Sequence, residues 1–280
     1  MATTNLIGAV HTLFSVTAFL GNSLILVSLH KESSLHPPSK LLYRCLATTD
    51  LLVGLVAQPL YATLSFSYSW TLEDRRIFYY TNDAVIITSH MLCGVSLLTM
   101  TAISVDRLLA LLLGLRYRQI VTLKRTYIIL ANFWVLSLVA SLSTIFKTNI
   151  TFSYGRILIP ICLVISITSY TKIFSALRHH QAHVQDHSQQ QPSQPSALNV
   201  ARYRKAVYSA LWVQLALVVC YAPYGIVEIM LSKTYSWHFR EITIVLVYFN
   251  STLNPFLYCW KISEVRRAVK QTIRQALCCL

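Results

Sequence analysis

The chain has 280 residues, of which 55% are hydrophobic and only 12% charged, with a mean hydropathy of +0.52. Soluble domains carry roughly a quarter charged residues, so a water-soluble globular fold is excluded. The net charge of +14 does not point to nucleic acid, because the basic residues are sorted to one side of a series of apolar segments.

Seven apolar runs lie near Leu6–Leu29, Leu41–Phe66, Ile77–Leu113, Tyr127–Phe146, Ile157–Leu177, Ala206–Leu231 and Ile242–Trp260. With flanking residues the last three helices are expected near 153–177, 204–231 and 241–260. Each run supplies the roughly 20 residues that a helix rising about 1.5 Å per residue needs to cross about 30 Å of hydrocarbon. The expected fold is therefore an all-α, seven-transmembrane bundle in one domain, residues 1–280, with no internal repeat. When the connections are numbered alternately, Arg75, Arg76, Lys147, Arg156, Lys233 and Arg240 fall on one side and the other 18 of the 24 Lys and Arg on the opposite side. The positive-inside rule makes the richer side cytosolic, with the N-terminus outside and the C-terminus inside. No cleavable signal is evident, since Met1 to Asn5 has no basic residue, and the first span is expected to direct insertion.

In span one, Asn22 sits among Leu, Ile and Val and needs a partner on another helix. Span two buries Asp50, whose insertion costs about 2.5 to 3.5 kcal/mol, so it should face the interior and hold a proton, a cation or polar neighbours. Later in that span Pro59 should kink the helix and free a carbonyl. Span three ends in Asp106-Arg107, an acid and a base at the exit of a membrane-length run, where partners are expected. Span four carries Trp134, span five Pro160 and span six Cys220-Tyr221-Ala222-Pro223, each proline a potential hinge.

His179 to Asn199 is rich in Gln, Ser, His and Pro and reads as a flexible cytosolic loop. His179, His183 and His187 would share a face if the helix continued, which raises a metal site as an option. Span seven holds Asn250-Ser251-Thr252-Leu253-Asn254-Pro255, several polar groups on a locally broken helix. After Tyr258 an amphipathic stretch of about 262–275 alternates Ile262, Val265, Val269 and Ile273 with Arg266, Arg267, Lys270 and Arg274. That pattern suits a short helix on the inner leaflet. Cys278 and Cys279 beyond it are candidates for palmitoylation, and none of the seven cysteines is placed for an extracellular disulfide.

Asn22, Leu46-Ala47-Thr48-Thr49-Asp50, Asp106-Arg107, Trp134, Pro160, Pro223 and Asn254-Pro255-Phe256-Leu257-Tyr258 each fall in a different span and in the same order as in the rhodopsin-like G-protein-coupled receptors, which the chain resembles from about Leu6 to Arg274. The resemblance implies that Asp50, Ser96, Asn250, Ser251 and Asn254 surround a sodium ion, with hard oxygen ligands of the kind that ion takes. It implies that Asp106 holds Arg107 at rest and releases it toward a heterotrimeric G protein when the sixth helix swings outward about Pro223. Tyr258, after Pro255, would then turn inward to support Arg107. Leu115 and Tyr117 match the inner loop that docks on the G protein. The resemblance further implies a plasma-membrane receptor for an extracellular ligand, with no cofactor.

The departures from the pattern restrict the ligand. Asn82 stands where the family has a cysteine, and the second outer loop lacks one too, similar to the melanocortin, adenosine and lipid receptors. Leu108 replaces a tyrosine, Gly114 a proline and Tyr221 a tryptophan, and Thr168 stands where a tyrosine is usual. Tyr248 occupies the position of the opsin lysine, which excludes a retinal Schiff base. Ser89 occupies the position of the acid that pairs with amines, which argues against a biogenic amine. The expected ligand pocket is Ser89, His90, Cys93, Arg156, Tyr221, Tyr224, Glu228, Ile244 and Tyr248, with Arg156 facing an anionic ligand group, Glu228 or Asp83. Asn149-Ile150-Thr151 is a sequon close to the bilayer.

A transporter or channel using Asp50 in its pathway is the competing class, and it predicts repeated halves that the sequence does not contain. No His, Cys or paired-acid constellation at one depth suggests an enzyme.

Overall fold

A computed structural model describes residues 2–31, 35–67, 75–146, 150–188, 212, 215–229, 237–261 and 263–278. Its helices are α1 (Ala2–Lys31), α2 (Pro37–Leu52), α3 (Gln58–Ser67), α4 (Arg75–Leu113), α5 (Tyr117–Ile120), α6 (Leu123–Leu142), α7 (Ile150–Ser188), α8 (Leu215–Ile229), α9 (Trp237–Lys261) and α10 (Ser263–Cys278), and the described residues contain no strand. Six helical stretches are long and apolar enough to cross a membrane, and α8 is the described part of the sixth expected span.

α4 is the centre of the bundle, packing against α2, α6 and α7, while α1 lies between α3 and α9. Buried Ile25, Leu46, Leu97, Met100, Leu217 and Tyr258 form one apolar cluster that joins these helices. Lipid-facing positions remain apolar, as Leu13, Leu20, Val135 and Val164 do, each more than half exposed.

The kink expected at Pro59 takes the form of a π-helical turn, Val53–Ala57, between α2 and α3. In that wider turn the Gln58 N–H donates to Val53 O, so Gly54 O would look to residue 59, which is a proline without an N–H. The freed carbonyl accepts the Ser15 hydroxyl of α1 at 2.6 Å. Only glycine fits here, since a Cβ on residue 54 would stand 2.8 Å from Phe19 N and 2.9 Å from Ser15 O. At the far end of α4, Gly114 takes φ of +49°, a left-handed turn that ends the helix and leads through a 3-10 segment, Gly114–Arg116, into α5.

The stretch read as a flexible loop from His179 is helical for its first ten residues, because α7 continues to Ser188. Nothing between Arg178 and Ser188 breaks a helix, and the first proline of the stretch is Pro192. Residues 189–199 and the His179, His183 and His187 side chains lie outside the described residues, as does Asn149 of the sequon.

α10 follows α9 and presents Val265 and Val269 to the core while Arg266, Arg267, Lys270 and Arg274 remain exposed. Lys31 Nζ of α1 donates to Gln275 Oε1 at 2.6 Å, tying the two helices together. Cys278 closes α10, but its side chain and Cys279 lie outside the described residues.

Candidate functional site

Three polar constellations lie along the bundle axis. At mid-depth the fully buried Asp50 accepts hydrogen bonds from Ser96 Oγ at 3.1 Å, Ser251 Oγ at 2.8 Å and Asn254 Nδ2 at 2.7 Å. One carboxylate so joins α2, α4 and α9, which offsets the cost of placing it in hydrocarbon. Asn250 departs from the expected ring: its Nδ2 points to Met100 Sδ at 3.3 Å rather than to Asp50. The side-chain oxygens of Asn22, Asn250 and Asn254 are buried without a hydrogen-bond partner. Asn22 Nδ2 donates to Ala18 O and, across to α9, to Ser251 O at 3.0 Å, the interhelical partner its position requires.

At the end of the bundle where α4 stops, Arg107 Nη2 lies 3.1 Å from Asp106 Oδ2. The same carboxylate accepts Ser39 Oγ of α2 at 2.9 Å and the Tyr117 hydroxyl of α5 at 2.5 Å. Asp106 is therefore held from three directions, and Arg107 also stacks over the Tyr43 ring at 5.7 Å. Beside this lock His36, between α1 and α2, lies against Tyr117 with ring centroids 5.1 Å apart. Burial, with help from the Arg118 and Arg107 charges and against that of Asp106, holds its imidazole below the usual histidine value. Tyr258 is buried with its ring edge on Tyr43 at 5.3 Å, and its hydroxyl has no partner. Thr168, at the expected tyrosine position, is exposed, whereas Tyr170 two residues on is buried. Leu115 is 97% exposed, an apolar side chain displayed at the tip of the turn after α4.

The opposite end contains a cavity of about 290 Å³ between α1, α3, α4, α7, α8 and α9. Of the expected pocket residues, Ser89, His90, Cys93, Tyr221, Tyr224, Ile244 and Tyr248 line it. The hydroxyls of Ser89 and Tyr248 are bonded to each other across α4 and α9, and the Tyr221 hydroxyl donates to Cys93 O at 3.4 Å. Tyr248 also meets the His11 ring edge-on at 5.1 Å, behind the wall.

Arg156 and Glu228 do not line the cavity, which corrects two expectations. On α7 the cavity is lined by Phe152, Tyr154, Gly155, Leu158 and Ile159, while Arg156, one turn from Phe152, has its Nε buried without a hydrogen-bond partner. Glu228 does pair with an arginine, but with Arg240 of α9: Nε to Oε1 is 3.2 Å, and the guanidinium lies over the Phe152 ring at 5.8 Å. Arg240, Glu241 and Tyr61 are wall residues that the sequence reading missed. The available signal was spacing, since Glu241 precedes Ile244 and Tyr248 by three and seven residues on one helical face. Tyr61 donates to Glu241 Oε2 at 2.6 Å, fastening α3 to α9.

A helical membrane bundle with a cavity at one end, an acid-arginine lock at the other and a buried polar knot between them is the build of a signalling receptor. The 7 transmembrane receptor (rhodopsin family) profile matches residues 21–163 and 148–258, and the chain belongs to that family. It is a multi-pass membrane receptor of the kind that signals through G proteins, not an enzyme. It is similar to octopamine receptor beta-2R of Chilo suppressalis, at 26% identity over 95% of this chain and 79% of that protein. It is also similar to adenosine receptor A2b of Gallus gallus (24%, 95% and 87%) and histamine H2 receptor of Rattus norvegicus (26%, 95% and 78%).

Proposed function

We propose that the chain binds a small extracellular ligand in the cavity between Tyr61, Ser89, Tyr221 and Tyr248 and passes its occupancy to a G protein at the Arg107 end. The observation that carries this reading is the placement of cavity and lock at opposite ends of α4, joined by Asp50 and its partners. On this reading the cavity faces outside and the basic end faces the cytosol of a plasma-membrane receptor, in line with the lysine and arginine bias. Outward movement of α8 about Pro223 opens the basic end, frees Arg107 from Asp106 and lets exposed Leu115 enter the G protein, a shift in the population of two bundle states.

A cavity of this size and its tyrosine-rich wall suit a small organic molecule, and relatives are named for octopamine, adenosine and histamine. The buried, unpartnered amide oxygen of Asn254, whose Nδ2 is bonded to Asp50, together with that carboxylate supplies hard donors of the kind a sodium ion takes, which supports an allosteric cation there. Palmitoylation of Cys278 and Cys279 would add a second anchor beside the amphipathic α10.

The test is guanine-nucleotide exchange on purified G-protein subtypes added to membranes carrying the full chain. Stimulated exchange on at least one subtype supports the receptor reading. Absence of exchange on every subtype, together with Asp50-dependent uptake of a cation, would favour the transporter instead.

A further inference from the structure

We propose that Glu241 is the anchor for a cationic amine ligand, so that the carboxylate missing at Ser89 on α4 is supplied from α9 across the cavity. The proposal rests on the receptor reading of the same cavity and names the chemistry of its ligand.

The charges of the wall are few. Arg240 is already committed, ion-paired to Glu228 and stacked on Phe152. Glu241 has no ion-pair partner among the described residues and accepts one hydrogen bond, from Tyr61. Arg240 is thus shared by two carboxylates, paired to Glu228 and close enough to act on Glu241, so this described group of three charges keeps one negative charge in excess, on the wall that Tyr61 and Tyr248 also line. A carboxylate in that setting is costly without a counterion, and an ammonium is attracted both to it and to aromatic faces. Ser89 cannot serve, because its hydroxyl is neutral and bonded to Tyr248.

Glu241 lies two helical turns, roughly 10 Å, from Tyr248 along α9. An ammonium held there leaves the length of the cavity toward Tyr221 for the apolar part of the ligand. With a carboxylate on α9 at Glu241, the neutral Ser89 on α4 does not exclude an amine.

A rival role for Glu241 is to satisfy the buried Tyr61 hydroxyl and nothing more. Glutamine would do that equally well, so Glu241→Gln separates the two. The probes are 2-phenylethylamine and tyramine, with 2-phenylethanol and 3-phenylpropionate as neutral and anionic counterparts of the same skeleton. Binding is read as thermal stabilisation of the purified full-length chain, and signalling as nucleotide exchange on G protein.

The amines should stabilise the chain and their counterparts should not. Glu241→Gln should weaken amine binding about 10- to 100-fold, the worth of a hydrogen bond to a charged group. Adding Ser89→Asp to Glu241→Gln should recover most of that loss by returning a carboxylate to the opposite wall. If Glu241→Gln does not reach the surface, Glu241→Asp carries the test, with a smaller loss of amine affinity and still no stabilisation by the alcohol. Preference for 3-phenylpropionate, no stabilisation by either amine, or amine affinity within twofold of the parent in the variant at equal surface expression overturns the anchor. Glu241-dependent amine binding without exchange on any G-protein subtype would leave the anchor and overturn the receptor reading.

Discussion

Replacing Asp106 with Asn should raise basal signalling, and the structure sets the size of the effect. Asp106 accepts from Ser39, Tyr117 and Arg107, and the amide of Asn retains one acceptor oxygen while losing the charge that faces Arg107. The Arg107 side chain is 34% exposed, so its attraction to Asp106 is partly screened. It falls between the 0 to 1 kcal/mol of an open surface pair and the 1.5 to 3 kcal/mol of a charged hydrogen bond, at about 1 kcal/mol. If that energy belongs to the resting state alone, its loss multiplies the active population about fivefold. The assay is nucleotide exchange on G protein by unliganded receptor in lipid nanodiscs, at matched receptor density. An exchange rate equal to or below that of the parent, with the maximal agonist response preserved, would refute the reasoning that Asp106 restrains Arg107.

Asp50→Asn should abolish the sodium sensitivity of agonist binding, measured with NaCl against choline chloride, and sodium dependence that persists would place the cation elsewhere. His11→Phe should raise thermal stability by a few degrees, because His11 is fully buried between Tyr61 and Tyr248 with both ring nitrogens unpartnered, a cost of about 1 to 3 kcal/mol that phenylalanine removes; a lower melting temperature would show that those nitrogens are satisfied. Gly54→Ala should destabilise by about 1 to 3 kcal/mol, since the added carbon meets backbone atoms of Phe19 and Ser15 that cannot give way; an unchanged melting temperature would mean that α1 is not seated on the π turn.

What could be read from the sequence was what the bilayer makes costly. A carboxylate at Asp50 or an amide at Asn22 has to find partners, and the resemblance named the right neighbours in Ser96, Ser251 and Asn254. What could not be read depends on helix rotation and local winding. Arg156 and Arg240 both stand near the same end of the bundle, and residue identity does not decide that Arg240 is the one that reaches Glu228 and lines the cavity. The turn of Asn250 toward Met100 is a side-chain rotamer that residue identity does not fix. Pro59 announced a kink but not a π turn, whose form depends on Ser15 arriving from α1 to take the freed carbonyl. The helical extension of α7 is not legible from polar composition, which suits a loop as well as a solvated helix; no residue before Ser188 opposes a helix.

The central claim is that the groups around Arg107 are parts of a switch opened by movement of α8. It is tested most directly by the distance between spin labels on exposed Leu215 of α8 and Tyr127 of α6, introduced as unnatural amino acids and measured by double electron–electron resonance with and without nucleotide-free G protein. The account predicts a second population lengthened by several ångströms when the G protein is bound, and enriched by Asp106→Asn in its absence. A single unchanged distance in all of these states, in a preparation that catalyses nucleotide exchange, would contradict it.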